Sequence, residues 1–499
     1  MLNIMAAIPA PSHTDNAAIA ELQQRFSAHR QAFLRHPFPE ARERRAHLYA
    51  LAQALLDNRA RMREALRTDF AVHPEATADL VDVGGPLSRA LAAARHVGRW
   101  MRPERRGVER LSFGTAKAYV AWQPKGVTGI VVPWNFPFDL SLGPLVDMLA
   151  AGNRVVIKMS EYTPACGQLA QEIIARTFAA DHVAVVNGGV ELGRAFAALR
   201  WDHLLFTGNP EVGRQVALAA AGNLTPVTLE LGGKNPAIFT SDAVTAEHVG
   251  LALGVKLVNG GQMCVSADHC LVPRAQLEQF VALAVAHFGQ SLRDYSRTVY
   301  CTGIISPRHF ERQRQLLEEA RNAGARIIQL DAEGAVDVAT RRLPVSLVVD
   351  PDPRLRLMQE EIFGPLLPVI PYDSIDEVIE QLKRAERPLA LYLYTRDAAL
   401  VERFRRETVS GGYGVNAIAA QAGLDELGFG GVGRSGSGRY HGYDGFREFS
   451  NPRGMFVKGW GGAFKTFLPP YGPRKRRQID QLFALRRLQL RLTRLLYRE

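Results

Sequence analysis

Apolar positions along the chain keep two different rhythms, and the change between them marks out the architecture. Leu48, Leu51, Ala52, Leu55 and Leu56 recur at three- and four-residue intervals with arginines between them. That is the spacing of one buried helix face, so residues 17–67 are predicted helical behind a short lead, with a second helix over 81–101. From residue 115 the rhythm shortens. The stretch 115–122 reads as a strand ahead of a Pro-Lys-Gly turn, and Val127-Thr-Gly-Ile-Val-Val is an apolar strand that stops at Pro133. Short apolar runs follow at 154–158, 182–186, 203–206 and 227–231, with helical stretches between them. This alternation predicts a parallel sheet covered by helices.

After Thr245 the alternation restarts. Helices are predicted at 245–258, 276–291, 307–323 and 375–384, and strands at 269–272, 344–349, 366–370 and 390–394. The fold class is therefore α/β, with two units joined closely, since no repeat and no low-complexity linker separates them. The glycine-dense run 428–439 contains Phe429 and Val432, which would be out of place in a free linker, so it is read as an ordered loop.

Composition narrows the class. A chain of 499 residues, 47% hydrophobic and 22% charged, is ordinary for soluble globular protein, and it exceeds the size one core supports, so two or three lobes are expected. Cys166, Cys264, Cys270 and Cys301 are too few and too irregularly spaced for a disulfide framework or a metal site. A reducing compartment and a free thiol follow, with no metal. The start of the chain lacks the features of a signal peptide and no apolar run is long enough to span a bilayer, so a cytoplasmic protein is expected. The formal charge of +11 points at first to nucleic acid, yet ten basic and two acidic residues lie from Lys465 onward. The body is left near neutral, which excludes nucleic acid as a partner by charge.

Several residues carry candidate chemistry. Cys264, in Asn259-Gly-Gly-Gln-Met-Cys-Val, sits on a glycine-flanked bend after a helix, where sulfur and backbone N–H can face one substrate oxygen. The alternative is a small core thiol, which suits Cys166, Cys270 and Cys301. Glu230 ends the apolar strand Val227-Thr-Leu-Glu-Leu, where a carboxylate is expensive without a task or a partner. It reads as a general base or as an ion pair with Lys234. Asn135, between Pro133 and Pro137, has its amide on a stiff turn and reads as an oxyanion donor or a turn former. Gly208 and Gly213 frame a strand-turn-helix junction that can hold a pyrophosphate, without the full dinucleotide fingerprint. Lys158 and Glu161 follow a strand, at the sheet edge where ligands bind, or form a solvated ion pair.

Pro133-Trp-Asn-Phe-Pro, Lys158-x-x-Glu161, Phe206-Thr-Gly, Leu229-Glu-Leu-Gly-Gly-Lys, Gly261-Gln-x-Cys and Glu360-Glu-Ile-Phe-Gly-Pro together resemble, in order and spacing, the motifs of the aldehyde dehydrogenase superfamily over residues 20–460. The run from Phe429 to Phe446 looks like the class 3 branch, in particular the bacterial coniferyl aldehyde dehydrogenases. That resemblance implies Cys264 as nucleophile, Glu230 as base, and Asn135 with the Cys264 N–H as oxyanion hole. Lys158 and Glu161 would hold the adenosine ribose, Gly208 and Gly213 the pyrophosphate turn, and Glu361 with Phe363 the nicotinamide ribose and ring. The implied reaction is NAD-dependent oxidation of an aldehyde to its acid through a thiohemiacetal and a thioester on Cys264, with NADP as the second choice of cofactor. The base favours water over coenzyme A as acyl acceptor.

An aromatic aldehyde is expected, with a medium- or long-chain aliphatic one as the alternative and a catalytically silent binding protein as the reading from another class. Trp134, Phe136 and Phe138 either line a tunnel for such a substrate or pack beneath the motif. Asn209, Gly428, Ala417 and Gln421 depart from the family pattern. The expected partition is two Rossmann-type open-sheet domains, an NAD-binding one from 1–110 and 125–232 and a catalytic one from 233–410. A small β bridging element from 111–124 and 411–450 and a C-terminal extension from 451–499 complete it. Homodimer or homotetramer formation is implied, with bridging strands that would otherwise be exposed as a physical reason to oligomerise. In the extension, leucines at 485, 488, 492 and 495 lie on one helical face and arginines at 487, 491, 494 and 498 on another. That pattern suits an anionic membrane surface, a subunit contact or a solvated tail.

Overall fold

The computed structural model describes residues 13–496; the expected lead and Arg498 lie outside the described residues. The chain divides into two compact units, one taking the residues up to Trp100 with Pro124–Asn451, the other Met101–Gln123 with the chain from Pro452.

In the first unit, strands Val127–Val131, Arg154–Lys158, Val183–Val186, His203–Gly208 and Val227–Leu231 are all parallel. Across the sheet they run 183–186, 154–158, 127–131, 203–208, 227–231, and Gly436–Ser437 adds antiparallel to the last. The winding direction reverses between 127–131 and 203–208, and an open sheet of this kind leaves a crevice there at the carboxyl ends of its strands. Val183–Val186 is buried at every position, which is why these strands read as apolar runs without alternation.

A second sheet of the same unit runs 326–329, 346–349, 366–372, 269–273, 236–239, 390–394, 412–415. All its pairings are parallel except that of the edge strand Arg326–Gln329. Phe239 stacks on Tyr394 with ring centroids 4.4 Å apart, within a core of buried residues. Pro236–Phe239 and Arg326–Gln329 were not predicted as strands, and Gly412–Val415 was expected in the bridging element, not in this sheet. Each is four residues long; the second is an edge with an exposed arginine and the third carries two glycines, so pattern is weak in all three.

The expected bridging element is divided differently. Gly412–Val415 belongs to the second sheet and Gly436–Ser437 to the first, while Ser450–Val457 joins Lys117–Pro124 and Glu104–Arg106 in a separate three-stranded sheet. The strand at 450–457 thus lies where an extension was expected. Its Ser-Asn-Pro-Arg-Gly sequence, mostly exposed, offers no apolar alternation to read. The extension ends in the helix Pro473–Leu496.

Candidate active site

The helix Ala246–Leu257 is followed by Asn259, Gly260 and Gly261 at φ values of 52°, 62° and 77°. These left-handed conformations suit glycine and are tolerated by asparagine. At Gly261 a Cβ would stand 2.2 Å from the Gly364 carbonyl oxygen, so no side chain fits. Gln262 locks the turn: its Nε2 donates to Asn259 O at 3.0 Å and Gly303 O at 3.2 Å, and its Oε1 accepts from the Ile305 N–H at 3.0 Å. Cys264 emerges from this turn half-buried.

Three successive carbonyls at the nucleophile are held from behind. Asn235 Nδ2 donates to Cys264 O at 2.6 Å and Ser266 O at 3.0 Å, while the Tyr392 hydroxyl donates to Val265 O at 2.5 Å. Asn235 Oδ1 in turn accepts from the Ala390 N–H at 2.9 Å. Neither residue was singled out in the sequence. Asn235 adjoins the Leu229–Lys234 motif, and Tyr392, in an apolar strand, reads only as core. Tyr392→Phe removes one buried hydrogen bond from the nucleophile's own turn. We expect kcat to fall about tenfold with the cofactor KM unchanged, as measured by steady-state kinetics.

Asn135 is 3% exposed, and the structure ties it to the same turn. Its carbonyl accepts from Asn259 Nδ2 at 2.8 Å, and its own Nδ2 donates to Gln262 O at 3.3 Å. An amide has two N–H donors, and the second remains for an oxyanion. Phe136 and Phe138 are buried, so they pack beneath the motif. Trp134 is half-buried, its ring edge-on to Phe363 at 5.2 Å and to His309 at 5.1 Å.

Glu230 is 2% exposed and neither of its carboxylate oxygens has a hydrogen-bond partner. The glycine-dense loop runs beside it, close enough that a Cβ on Gly430 would stand 3.0 Å from Oε1. Arg439 Nη1 orders that loop by donating to the carbonyls of Gly411 at 3.1 Å and Gly430 at 3.3 Å. Burial pushes the Glu230 carboxyl well above its usual range, with Arg439 opposing and Glu448 adding to the shift. Lys234 pairs with Asp268 and donates to Leu357 O and Glu360 O, so the Lys234 ion pair open to Glu230 in the sequence is not formed. Burial, with the Glu361 and Glu230 carboxylates, pushes the Cys264 thiol up to about 12. The resting site therefore holds a protonated sulfur beside a buried carboxyl that lacks a hydrogen-bond partner.

The other expected residues lie along the carboxyl ends of the first sheet or face it. Lys158 closes its strand 4% exposed and donates to Glu161 Oε2 at 2.8 Å, leaving Oε1 of the half-exposed Glu161 unused by this pair. A Cβ on Gly213 would meet Leu231 Cδ2 at 2.6 Å, and one on Gly208 the Phe206 ring at 2.6 Å. Gly213 thus lets helix Pro210–Ala221 approach the strand Val227–Leu231, while Gly208 leaves room for the Phe206 ring of its own strand. Asn209 caps that helix by accepting from the Val212 N–H at 2.8 Å. Gly428 has a packing reason, since a Cβ there would meet Asp444 Oδ2 at 2.5 Å. Gln421 Nε2 donates to the Tyr392 hydroxyl at 3.3 Å.

Glu361 lies against Gly232, where a Cβ would stand 2.0 Å from Oε2; burial and Asp268 push its carboxyl up to about 8. Phe363 holds a φ of 52°, and the Gln313 amide donates to Ile362 O beside it at 2.6 Å. Thr207 Oγ1, buried without a partner, sits at the end of the strand bordering the crevice. An orphaned hydroxyl, a buried lysine and a half-exposed carboxylate at the ends of the two strands that flank 127–131 fit a nucleotide.

The profile of the Aldehyde dehydrogenase family matches residues 12–454. The chain belongs to the aldehyde dehydrogenase family. It is similar to a probable coniferyl aldehyde dehydrogenase of Pseudomonas aeruginosa, 44% identical over 93% of this chain and 97% of that relative. A coniferyl aldehyde dehydrogenase of a Pseudomonas species is 38% identical over 84% of this chain and 87% of its own length. Among solved structures, a substrate-bound Staphylococcus aureus AldH matches with a TM-score of 0.87 at 30% identity, covering 93% of this chain and 99% of that one. A Mycobacterium tuberculosis aldehyde dehydrogenase complexed with NAD+ matches with a TM-score of 0.77 at 28% identity, over 90% and 91%. As an aldehyde dehydrogenase, the chain is an oxidoreductase acting on aldehydes with a nicotinamide cofactor, on the α/β fold of that family.

Proposed function

We propose that this aldehyde dehydrogenase oxidises an aromatic aldehyde of the coniferyl type to its carboxylic acid, using NAD and the Cys264 thiol. The observation that carries the mechanism is the Cys264 turn tied to Asn135, beside a buried carboxylate with no partner. Cys264 loses its thiol proton to solvent as its Sγ adds to the aldehyde carbon, and the Asn135 amide with the Cys264 N–H takes the oxygen's developing charge. The cofactor, when bound, supplies the hydride acceptor. Glu230, raised by burial, then takes a proton from the water that cleaves the Cys264 thioester.

Glu161 and Lys158 would hold the adenosine ribose, Gly208 and Gly213 the turn beside the pyrophosphate, and Glu361 and Phe363 the nicotinamide end. NAD is preferred over NADP because Lys158 already spends its charge on Glu161, whose remaining oxygen can accept from a ribose hydroxyl and repels a phosphate. Residues 1–110 with 125–232 serve as the cofactor domain and 233–410 as the catalytic domain, and the protein works in the cytoplasm as a homo-oligomer. The aromatic preference is supported by the similarity to bacterial coniferyl aldehyde dehydrogenases.

A panel of aromatic and aliphatic aldehydes assayed with both cofactors tests this. The highest kcat/KM is expected for a cinnamaldehyde-type substrate with NAD. A clear preference for long-chain aliphatic aldehydes, or for NADP, overturns the corresponding half.

A further inference from the structure

The catalytic reading makes no use of the C-terminal helix. Pro473–Leu496 spans 24 residues and carries eight arginines and lysines against the single acid Asp480, over a length of about 36 Å. One face is tied down within its own unit: Lys475 Nζ donates to Leu468 O at 2.7 Å, and Arg486 pairs with Glu109 at 3.7 Å. Ile479 and Leu482, at helical spacing between them, are half-buried. Leu485, Leu488, Leu492 and Leu495 point elsewhere and are exposed, Leu495 by 67%, with Arg487, Arg491 and Arg494 flanking them. Trp460, in the same unit, is 86% exposed.

We propose that this leucine face is a docking surface for an anionic lipid bilayer, the helix lying in the headgroup plane. A leucine stripe in water has no partner to lower its free energy, and flanking guanidiniums select a surface of negative charge. A second copy of the same face would bring arginine against arginine, and a nucleic acid would leave the leucines wet. No helix among the described residues is long and apolar enough to cross a membrane, which leaves lying on it. The inference goes beyond the catalytic reading and does not rest on it.

Flotation of the full chain with vesicles of phosphatidylcholine, with and without phosphatidylglycerol, tests the proposal. The chain is expected to float with the anionic vesicles at low salt, to be released at high salt, and to ignore the neutral ones. Combined Arg487→Glu, Arg491→Glu and Arg494→Glu should weaken binding about a hundredfold. Leu488→Ser with Leu492→Ser should weaken it at least about tenfold. Both variants should keep aldehyde oxidation unchanged; if the charge reversal impairs folding, the three arginines changed to Gln give the same reading with a smaller loss. The proposal is overturned if the full chain stays below the vesicles at low salt, or if the leucine variant floats as well as the parent. It is equally overturned if that variant breaks a larger assembly into a smaller one in sedimentation, since the face is then a subunit contact.

Discussion

Cys264→Ser lowers kcat for aldehyde oxidation by about 10⁴-fold or more, with cofactor binding retained. The substitution keeps the size and the backbone N–H of the turn, so Gln262, Asn235 and Tyr392 hold it as before. What disappears is the polarizable nucleophile. Pre-steady-state measurement of NADH formation and a separate cofactor titration distinguish loss of chemistry from loss of binding. An NADH burst of parental size in the variant would show that another group attacks the aldehyde. The pH dependence of the free thiol is a second reading on the same residue. Because burial and two carboxylates push it up to about 12, alkylation of the resting protein should keep rising with pH well past neutrality.

Glu230→Gln separates function from stability. Its carboxylate oxygens are buried without partners, and burial raises the carboxyl well above its unfolded value. A carboxyl raised in this way is protonated when folded and ionised when unfolded over the window between the two values. It therefore costs the folded state stability progressively as pH rises through that window, and the full cost is present above the folded value. The amide carries no such cost, so the melting midpoint at pH 8 should rise by about 1–3 °C. Over the same change kcat should fall about 10²- to 10⁴-fold, and the rise of kcat with pH should be lost. Calorimetry and a pH–rate profile read the two effects independently. A drop in stability in place of the expected rise would mean that Glu230 has a structural partner absent from this conformation.

How much of the site was legible depends on what each residue does. Cys264, Glu230 and Asn135 stand out because each is the wrong residue type for its surroundings as ordinary structure: a thiol among glycines, an acid in an apolar strand, an amide between prolines. Lys158 with Glu161 was legible as a pair, but the burial of Lys158 was not. Tyr392, Asn235, Gln313 and Asp268 escaped notice because their tasks are set by distant backbone. Tyr392 reaches Val265 and Asp268 receives the Ile362 N–H at 2.8 Å, and an aromatic in a strand or an acid after a turn looks unremarkable in the chain. Gly208 and Gly213 were singled out for phosphate binding, and the structure adds a packing reason for each that the chain did not show.

By itself the sequence determined the two alternating α/β units and singled out Cys264, Glu230 and Asn135, because apolar periodicity and misplaced polar residues are local properties. Only the tertiary structure decided that 412–415 and 436–437 join different sheets while 450–457 pairs elsewhere, that Lys234 serves Asp268 and leaves Glu230 without it, and that a glycine-dense loop closes beside the base. Strand partners and ion-pair partners are chosen among residues far apart in the chain, and the choice rests on which backbone and which charge arrive at the same place.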